Sequence, residues 1–544
     1  MDPQQIFEQF PAPSYQGYQQ SALTKIKRAF EAGNDIVLVQ APTGSGKSLL
    51  ARAIAGCARK KTDKTAGPTG AYYTSPQVSQ IDDVAEDEFL SDINIIYGKS
   101  NYSCIRSAER GVAVTRARCS REPDWDCPEK DDCPYFRQRS SAREGSIAGM
   151  TLAYFMEMSQ ADVFEKRDVI VVDEAHSLPQ WAELYSSITV GPQTVPNWSD
   201  VRPGPQAINS IEDAHQCVSR LHGMLSEWLD KFQGMSNPSA DNARLRDHLQ
   251  KLVPDLQWFL ESYRDDENTT EWVFEIGNRG AITLKPLHPQ RFLKYALWER
   301  GDKIALLSAT LLDKESFCSN IGLSPSNATL VDIPHSFPVE NRPLYDVTQG
   351  KMTREHREET LPKVAVVIAQ LMKKHQTEKG LIHCHSYAIK DALVERVMKL
   401  TSSPGRIETH DQHDRDDSLQ RWKQRNSNSV FFSVKMEEAL DLKYDLCRWQ
   451  AICKAPYKYT EDPIVQHRLQ ENNQWGWYHR SALRTIMQAC GRVVRQPDDH
   501  GATYLLDSSI MTVFDRAQSD IPEWFQEQVD EMEQPALPPA SFAQ

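Results

Sequence analysis

Two hydrophobic periods alternate along most of the chain. Leu23, Ile26, Ala29 and Phe30 recur at helical spacing, and the β-branched run Ile36–Val39 follows as a buried strand. Leu49, Leu50, Ala53 and Ile54 return to the helical period. Ala71–Pro76, Asp168–Val172 and Lys303–Thr310 read as further strands, the first and last ending in hydroxyls. Between residues 180 and 300 only the helical period is left. Ile211, Ala214, Val218, Leu221, Leu225 and Leu229 form one stripe, and Leu245, Leu249, Leu252, Leu256 and Leu260 a second, with a kink expected at Pro254. This stretch predicts an all-helical insertion. Alternation resumes with strands at Gly380–Cys384, Val430–Val434, Gln450–Cys453 and Thr503–Leu506, and helices at Pro362–His375 and Ala388–Leu400. Alternating βα units predict an α/β fold with parallel sheets covered on both faces. From Glu533 the Pro/Ala-rich tail is expected to be disordered.

Composition narrows the class. The 544 residues suffice for about three or four domains. No apolar run approaches the ~20 residues of a membrane span. The N-terminal residues carry no secretory signal. A cytoplasmic protein without membrane contact is the expectation. A net charge of −13 argues against adhesion to nucleic acid over the whole surface but allows a local basic channel.

The strand Ile36–Val39 runs into Ala41-Pro42-Thr43-Gly44-Ser45-Gly46 and then Lys47-Ser48 at a helix start. Strand, glycine turn, Lys-Ser and helix form a phosphate loop: backbone N–H groups face an anion, Lys47 reaches β- and γ-phosphates, and Ser48 binds Mg²⁺. Ala41 stands where the general pattern has Gly. Asp173-Glu174, at the end of a buried strand, supplies the second half of a hydrolytic site. Asp173 would hold Mg²⁺ and Glu174 would orient or deprotonate the attacking water. Gln19, upstream of the loop, suits an adenine edge. Within Gln488–Arg495, Arg492 and Arg495 would share one face of a helix and suit a γ-phosphate held by another domain. Thr74 and Ser75 sit at a strand end, where ligands of parallel sheets bind; contact with a phosphate backbone and a plain Ser-Pro turn are both open. His383 and His385 read as strand-end residues lining a crevice, since no third metal ligand is evident.

Of eleven cysteines, Cys104, Cys119, Cys127 and Cys133 fall in one polar stretch, separated by fourteen, seven and five residues. Four nearby thiols without a disulfide framework suggest a metal site, an iron–sulfur cluster or zinc, although tight zinc-type pairs are missing. Residues 99–143 hold ten Lys/Arg against seven Asp/Glu, interleaved with Tyr102, Tyr135 and Phe136. Basic plus aromatic residues suit single-stranded nucleic acid.

In this order the motifs resemble the iron–sulfur superfamily-2 DNA helicases of the XPD/DinG family, over roughly residues 12–515. Tyr15-Gln16-x-x-Gln19 resembles the adenine-reading motif, with Gln16 where the family usually has Arg. Ala41–Ser48 resembles motif I, in which Ala at the first place is usual. Thr74-Ser75-Pro76 resembles motif Ia, Asp173–His176 the DEAH box, Ser308-Ala309-Thr310 motif III and Gln488–Arg495 motif VI. Gly98–Cys104 and Cys127-x₅-Cys133-Pro134-Tyr135 resemble cluster-ligand segments. Glu437–Asp441 is a weaker match to motif V, with Ala439 in place of Gly.

The resemblance implies two RecA-like parallel-sheet motor domains with an inserted iron–sulfur domain and an inserted all-helical arch. Motor domain 1 would comprise residues 1–98, 146–180 and 301–345, the cluster domain 99–145, the arch 181–300, motor domain 2 346–532, and the tail 533–544. It implies ATP, Mg²⁺ and a 4Fe–4S cluster as cofactors, with Asp441 and Gln488 among the nucleotide-binding residues. It implies 5′→3′ movement on single-stranded DNA and unwinding of forked DNA. An RNA helicase and an ATP-switched remodeller that does not unwind are the alternatives. The sequence points to no protein partner.

Overall fold

The structure is a computed structural model. It describes residues 1–60, 67–122, 125–160, 163–195, 197–201, 208–233, 240–263, 272–425, 427–434 and 442–539. The first stretch of strands is β1 (Ile36–Gln40), β2 (Ala71–Ser75), β3 (Asn94–Ile96), β4 (Ile147–Thr151) and β5 (Arg167–Val172). Three more, β6 (Ile188–Val190), β7 (Trp272–Ile276) and β8 (Ile282–Pro286), lie in the insertion. Then come β9 (Gly301–Ser308) and β10 (Ala328–Asp332). The second half contributes β11 (Leu344–Asp346), β12 (Gly380–His383), β13 (Ile407–Thr409), β14 (Val430–Ser433), β15 (Trp449–Ile452) and β16 (Ala502–Leu505).

Two sheets result, ordered β10-β1-β9-β5-β2-β4-β3 and β11-β16-β15-β12-β14-β13. Every pairing within them is parallel. Ile36 and Leu38 of β1 enter one core, while Val37 and Val39 enter another on the opposite face. A strand's side-chain period of two divides its residues between two helical layers, as a doubly covered sheet requires. In the second sheet Leu381 and Phe431 face one core and Ile382 and Phe432 the other.

The insertion is not all-helical. Helices Ile211–Gln233 and Ala240–Ser262 are joined by an antiparallel sheet, β6-β8-β7, in one core that includes Leu221, Leu256, Trp272 and Leu284. The hairpin β7–β8 forms because β-branched and aromatic residues flank Gly277–Ala281, where Arg279 and Gly280 take positive φ. The Ala240–Ser262 helix runs through Pro254 without ending. The second helical stripe of this region touches the cysteine-rich segment, where Arg246 Nη2 donates to the Arg121 carbonyl at 3.4 Å.

Two further expectations are corrected. Helix Trp475–Cys490 closes at Gly491, so Arg492 and Arg495 lie beyond it and share no helix face. The tail is ordered through residue 539: Asp346 N donates to the Glu533 carbonyl at 2.9 Å, Leu537 packs on the domain core, and Lys373 Nζ donates to the Pro539 carbonyl at 3.2 Å. The open edge of β11 gives the tail backbone a partner that its composition does not reveal. No helix among the described residues is long and apolar enough to cross a membrane.

Candidate functional site

β1 ends at the phosphate loop, and helix Lys47–Gly56 begins at its last residues. Gly44 and Gly46 adopt φ of 79° and 77°, a region that only glycine enters without strain. A Cβ on Gly44 would lie 2.2 Å from the Phe337 ring, and one on Gly46 would lie 2.2 Å from Gln19 Nε2. Gly44 is therefore required twice, by conformation and by space, and Gly46 by conformation, since the Gln19 amide is the end of a flexible side chain. Gln19 Nε2 donates to the Ser45 carbonyl at 3.1 Å, and its Oε1 accepts from Gln16 N at 2.9 Å. In this state Gln19 braces the loop from behind.

β5 delivers Asp173 and Glu174 to the same cleft. Glu174 has φ 47°, a left-handed backbone costing about 1–2 kcal/mol for a non-glycine residue. Its N–H donates to Asp173 Oδ1 at 2.9 Å. Lys47 Nζ lies 3.9 Å from Glu174 Oε1. Burial works to raise the Glu174 carboxyl, but Lys47, His176 and Arg492 overcome it and hold the group well below the usual carboxylate range. Burial, then the charge of Glu174, pushes Asp173 up to about 6. The two carboxyls are thus pushed in opposite directions.

Tyr73, on β2, was not expected at the site. Its hydroxyl donates to Asp173 Oδ2 at 3.0 Å and also hydrogen-bonds Ser48. Ser48 and Asp173, the two expected Mg²⁺ ligands, therefore flank one phenol. Two hard oxygen donors beside a phosphate loop fit Mg²⁺, which takes one or two protein oxygens plus phosphates and water. The neighbouring strand-end residues do not face ligand: Thr74 Oγ1 donates to the Val171 carbonyl and Ser75 Oγ to Gln80, both buried.

The second domain closes the cleft. Arg492 and Arg495 line it together with Thr43, Lys47 and Asp173, in a cavity of about 1170 Å³. Gly491 approaches so closely that a Cβ would meet Thr43 Oγ1 at 3.0 Å. His335, in the segment between the domains, also lines the cavity. Burial, then Arg342 and Lys47, lowers its imidazole to about 3. Its Nδ1 accepts from Phe337 N at 3.1 Å. Asp441 lies outside the described residues.

His176 joins the halves. Its Nδ1 is 2.8 Å from Ser308 Oγ and its Nε2 is 2.5 Å from Gln488 Nε2. An amide N–H can only donate, so Nε2 is the acceptor and Nδ1 carries the proton. Gln488 also reaches Thr310 Oγ1 at 3.4 Å. On the far side of Gln488 lies a second cavity of about 350 Å³. Lys458, Arg468 and Trp477 of the second domain line it, together with Glu183 of helix Leu178–Ser186. Arg468 stacks on Trp477 at 4.5 Å, and burial lowers both Lys458 and Arg468 from their usual values. Nothing in the hydrophobic pattern marked these residues. Their signal is a basic-aromatic mix like that of residues 99–143, spread over a longer loop. His383 is buried, its Nε2 3.0 Å from Gln450 Oε1, which agrees with a strand-end role.

The four clustered cysteines are all free thiols; Cys104 and Cys133 are buried, Cys119 and Cys127 half-buried. Burial raises the Cys119 thiol; Lys99 opposes it, and Cys127, Cys104 and Cys133 reinforce it. The other three sulfurs thus lie within electrostatic reach of Cys119. Among the described residues, no three His, Cys, Asp or Glu are grouped so as to hold a metal ion as they stand.

Two RecA-like sheets with a phosphate loop, an acidic pair and facing arginines define a two-domain nucleotide-hydrolysing motor. The chain matches the helicase C-terminal domain family over residues 368–528, the DEAD_2 family over 126–195, and the res subunit of type III restriction enzymes over 13–67. The ATP-dependent DNA helicase YoaA of Escherichia coli (strain K12) is 19% identical, covering 91% of each chain. The XPD helicase subunit of general transcription and DNA repair factor IIH from Schizosaccharomyces pombe is 28% identical over 23% of this chain and 18% of its own. A solved XPD helicase structure superposes with a TM-score of 0.62 at 18% identity, covering 96% of this chain and all of its own. Together these likenesses support an ATP-hydrolysing helicase similar to the superfamily-2 DNA helicases of the XPD/DinG type.

Proposed function

We propose that the protein hydrolyses ATP to move 5′→3′ along single-stranded DNA and to separate duplex at a fork. One observation carries this reading: Gln488 lines both cavities, so the hydrolytic site and the basic-aromatic cavity share a wall. Lys47 and the loop N–H groups hold the β- and γ-phosphates. Glu174, kept ionised, orients and deprotonates the attacking water. Arg492 and Arg495 meet the charge that develops on the transferred phosphoryl group. Ser48 and Asp173 would hold Mg²⁺, which would supply charge neutralisation at the phosphates. In the second cavity Lys458 and Arg468 suit backbone phosphates, and Trp477 suits a base face. A shift of Gln488 on hydrolysis moves the wall of that cavity through His176 and Thr310.

In this reading motor domain 1 comprises residues 1–98, 146–180 and 301–345 and motor domain 2 residues 346–532, with the cluster domain at 99–145 and the arch at 181–300. Cys104, Cys119, Cys127 and Cys133 would hold a 4Fe–4S cluster, which cross-links a segment too small to bury a core of its own. Anaerobically purified protein should be brown and contain iron and sulfide, and Cys104→Ser should remove the colour. Zinc in place of iron overturns the cluster.

Strand displacement on a 5′-tailed DNA duplex, with and without ATP, tests the function. Lys47→Ala should abolish turnover with folding intact. Lys458→Glu with Arg468→Glu should abolish stimulation by single-stranded DNA while basal hydrolysis stays within about twofold. DNA-stimulated hydrolysis without displacement would mark a remodeller, and preference for an RNA tail an RNA helicase.

A further inference from the structure

Two helices, one from each motor domain, line the nucleotide cleft. Gln80, Asp83 and the C-cap residue Asp87 of helix Val78–Glu86 line one lip. Arg415, Leu419 and Lys423 of helix Arg415–Gln424 line the other. Their spacings, three and four residues on the first helix and four and four on the second, put each set on one face. One lip is therefore acidic and the other basic. None of these residues belongs to the phosphate loop, the acidic pair or the arginine pair. Aspartates at the entrance repel an anionic nucleotide, so the acidic lip does not serve binding by itself. A basic face brought against it removes that repulsion.

We propose that the two faces form a charge-complementary latch that draws the motor domains together over bound ATP. The inference rests on the reading of this cleft as the ATP site. Opposite charges in one cleft attract over roughly the Debye length, about 8–10 Å at physiological salt. The latch thus acts on closure, whereas Arg492 and Arg495 act on the phosphates.

The test measures ATP KM and kcat of the full chain with saturating single-stranded DNA. Arg415→Glu with Lys423→Glu should raise KM about fivefold, the scale of two partly screened ion pairs, and change kcat less than about twofold. Adding Asp83→Lys and Asp87→Lys reverses both lips and should return KM to within about twofold of wild type. An unchanged KM in the first variant overturns the latch. So does a raised KM that the swap leaves uncorrected, which would place the cations on the nucleotide itself. If the reversed chains do not fold, Lys423→Gln and Asp87→Asn replace them: each should raise KM, and the pair together no further, whereas additive effects overturn the proposal. Lys47→Ala separates the two readings. Turnover surviving that change sinks the ATP site and the latch with it; turnover lost, with the swap failing, sinks the latch alone.

Discussion

Tyr73 makes the acidic pair depend on a neighbouring strand whose end residues, Thr74 and Ser75, are turned into the protein. Its hydroxyl is the neutral donor that keeps the buried Asp173 carboxyl satisfied at 3.0 Å. A hydrogen bond to a charged group contributes about 1.5–3 kcal/mol. Tyr73→Phe should lower kcat for ATP roughly tenfold or more, with the ring still filling its place and the melting temperature little changed; steady-state hydrolysis and thermal melting check both. His335 makes a prediction in pH. Its folded value, about 3, lies below the ordinary value of 6.5, so below pH 6.5 the unfolded chain takes a proton that the folded chain refuses. Its contribution is complete near neutrality and declines as pH falls from 6.5 toward 3. His335→Asn keeps an acceptor for Phe337 N and does not titrate. Between pH 7 and 5 wild type should lose roughly 1–2 kcal/mol more unfolding free energy than the variant in urea titrations. At this scale Lys47, Asp173 and Arg492 are legible because short local patterns carry them. Tyr73, His335 and Lys458 are not, because their partners come from distant segments.

At the scale of elements, the sequence marks what its local period specifies. β1, β5 and β9 are continuous apolar runs, the mark of strands buried on both faces, and they are readable for that reason. In the β7–β8 hairpin alternate residues of β8 remain half-exposed, so two long leucine stripes nearby dominate the pattern. The arginine pair is misplaced by one helical turn because Gly491 ends the helix, and glycine marks such an end more often than it sits inside one. The tail is the clearest case of tertiary override. Its prolines predict disorder, yet β11 offers an unpaired edge and the tail covers it. Deleting residues 533–544 should uncover that edge and the Leu537 contact, lowering the melting temperature by a few degrees. Scanning calorimetry checks the stability, and sedimentation checks for association through the bared strand.

At the scale of the molecule, the insertion reaches beyond the sheet that it interrupts. Its second long helix meets the cysteine-rich segment through Arg246, and its hairpin meets motor domain 2. Lys285 of β8 lies 3.0 Å from Asp462 and 3.1 Å from Glu275. Asp462 also caps helix Pro463–Gln466 and so anchors the loop that carries Arg468 into the second cavity. Movement of motor domain 2 therefore reaches the arch through a half-buried ion triad. Lys285→Glu places three like charges together and should detach the hairpin. ATP hydrolysis should remain within about twofold of wild type while strand displacement falls several-fold, which a paired hydrolysis and unwinding assay reads directly.

The order of the first sheet also dictates when the protein can begin to work. β1, which carries the phosphate loop, pairs only with β9 and β10, and both come from beyond residue 300. During synthesis the loop emerges early but has no strand on either side of it until the whole insertion has been made. At roughly 5–20 residues per second the ribosome needs about 15–60 s to supply those neighbours. For that interval β1 is an exposed, apolar, unpaired strand, the kind of segment that chaperones hold. A nascent chain stalled at residue 300 should not be retained on immobilised ATP, and one released after residue 345 should be. The nucleotide site is thus completed by the last part of its domain to be translated.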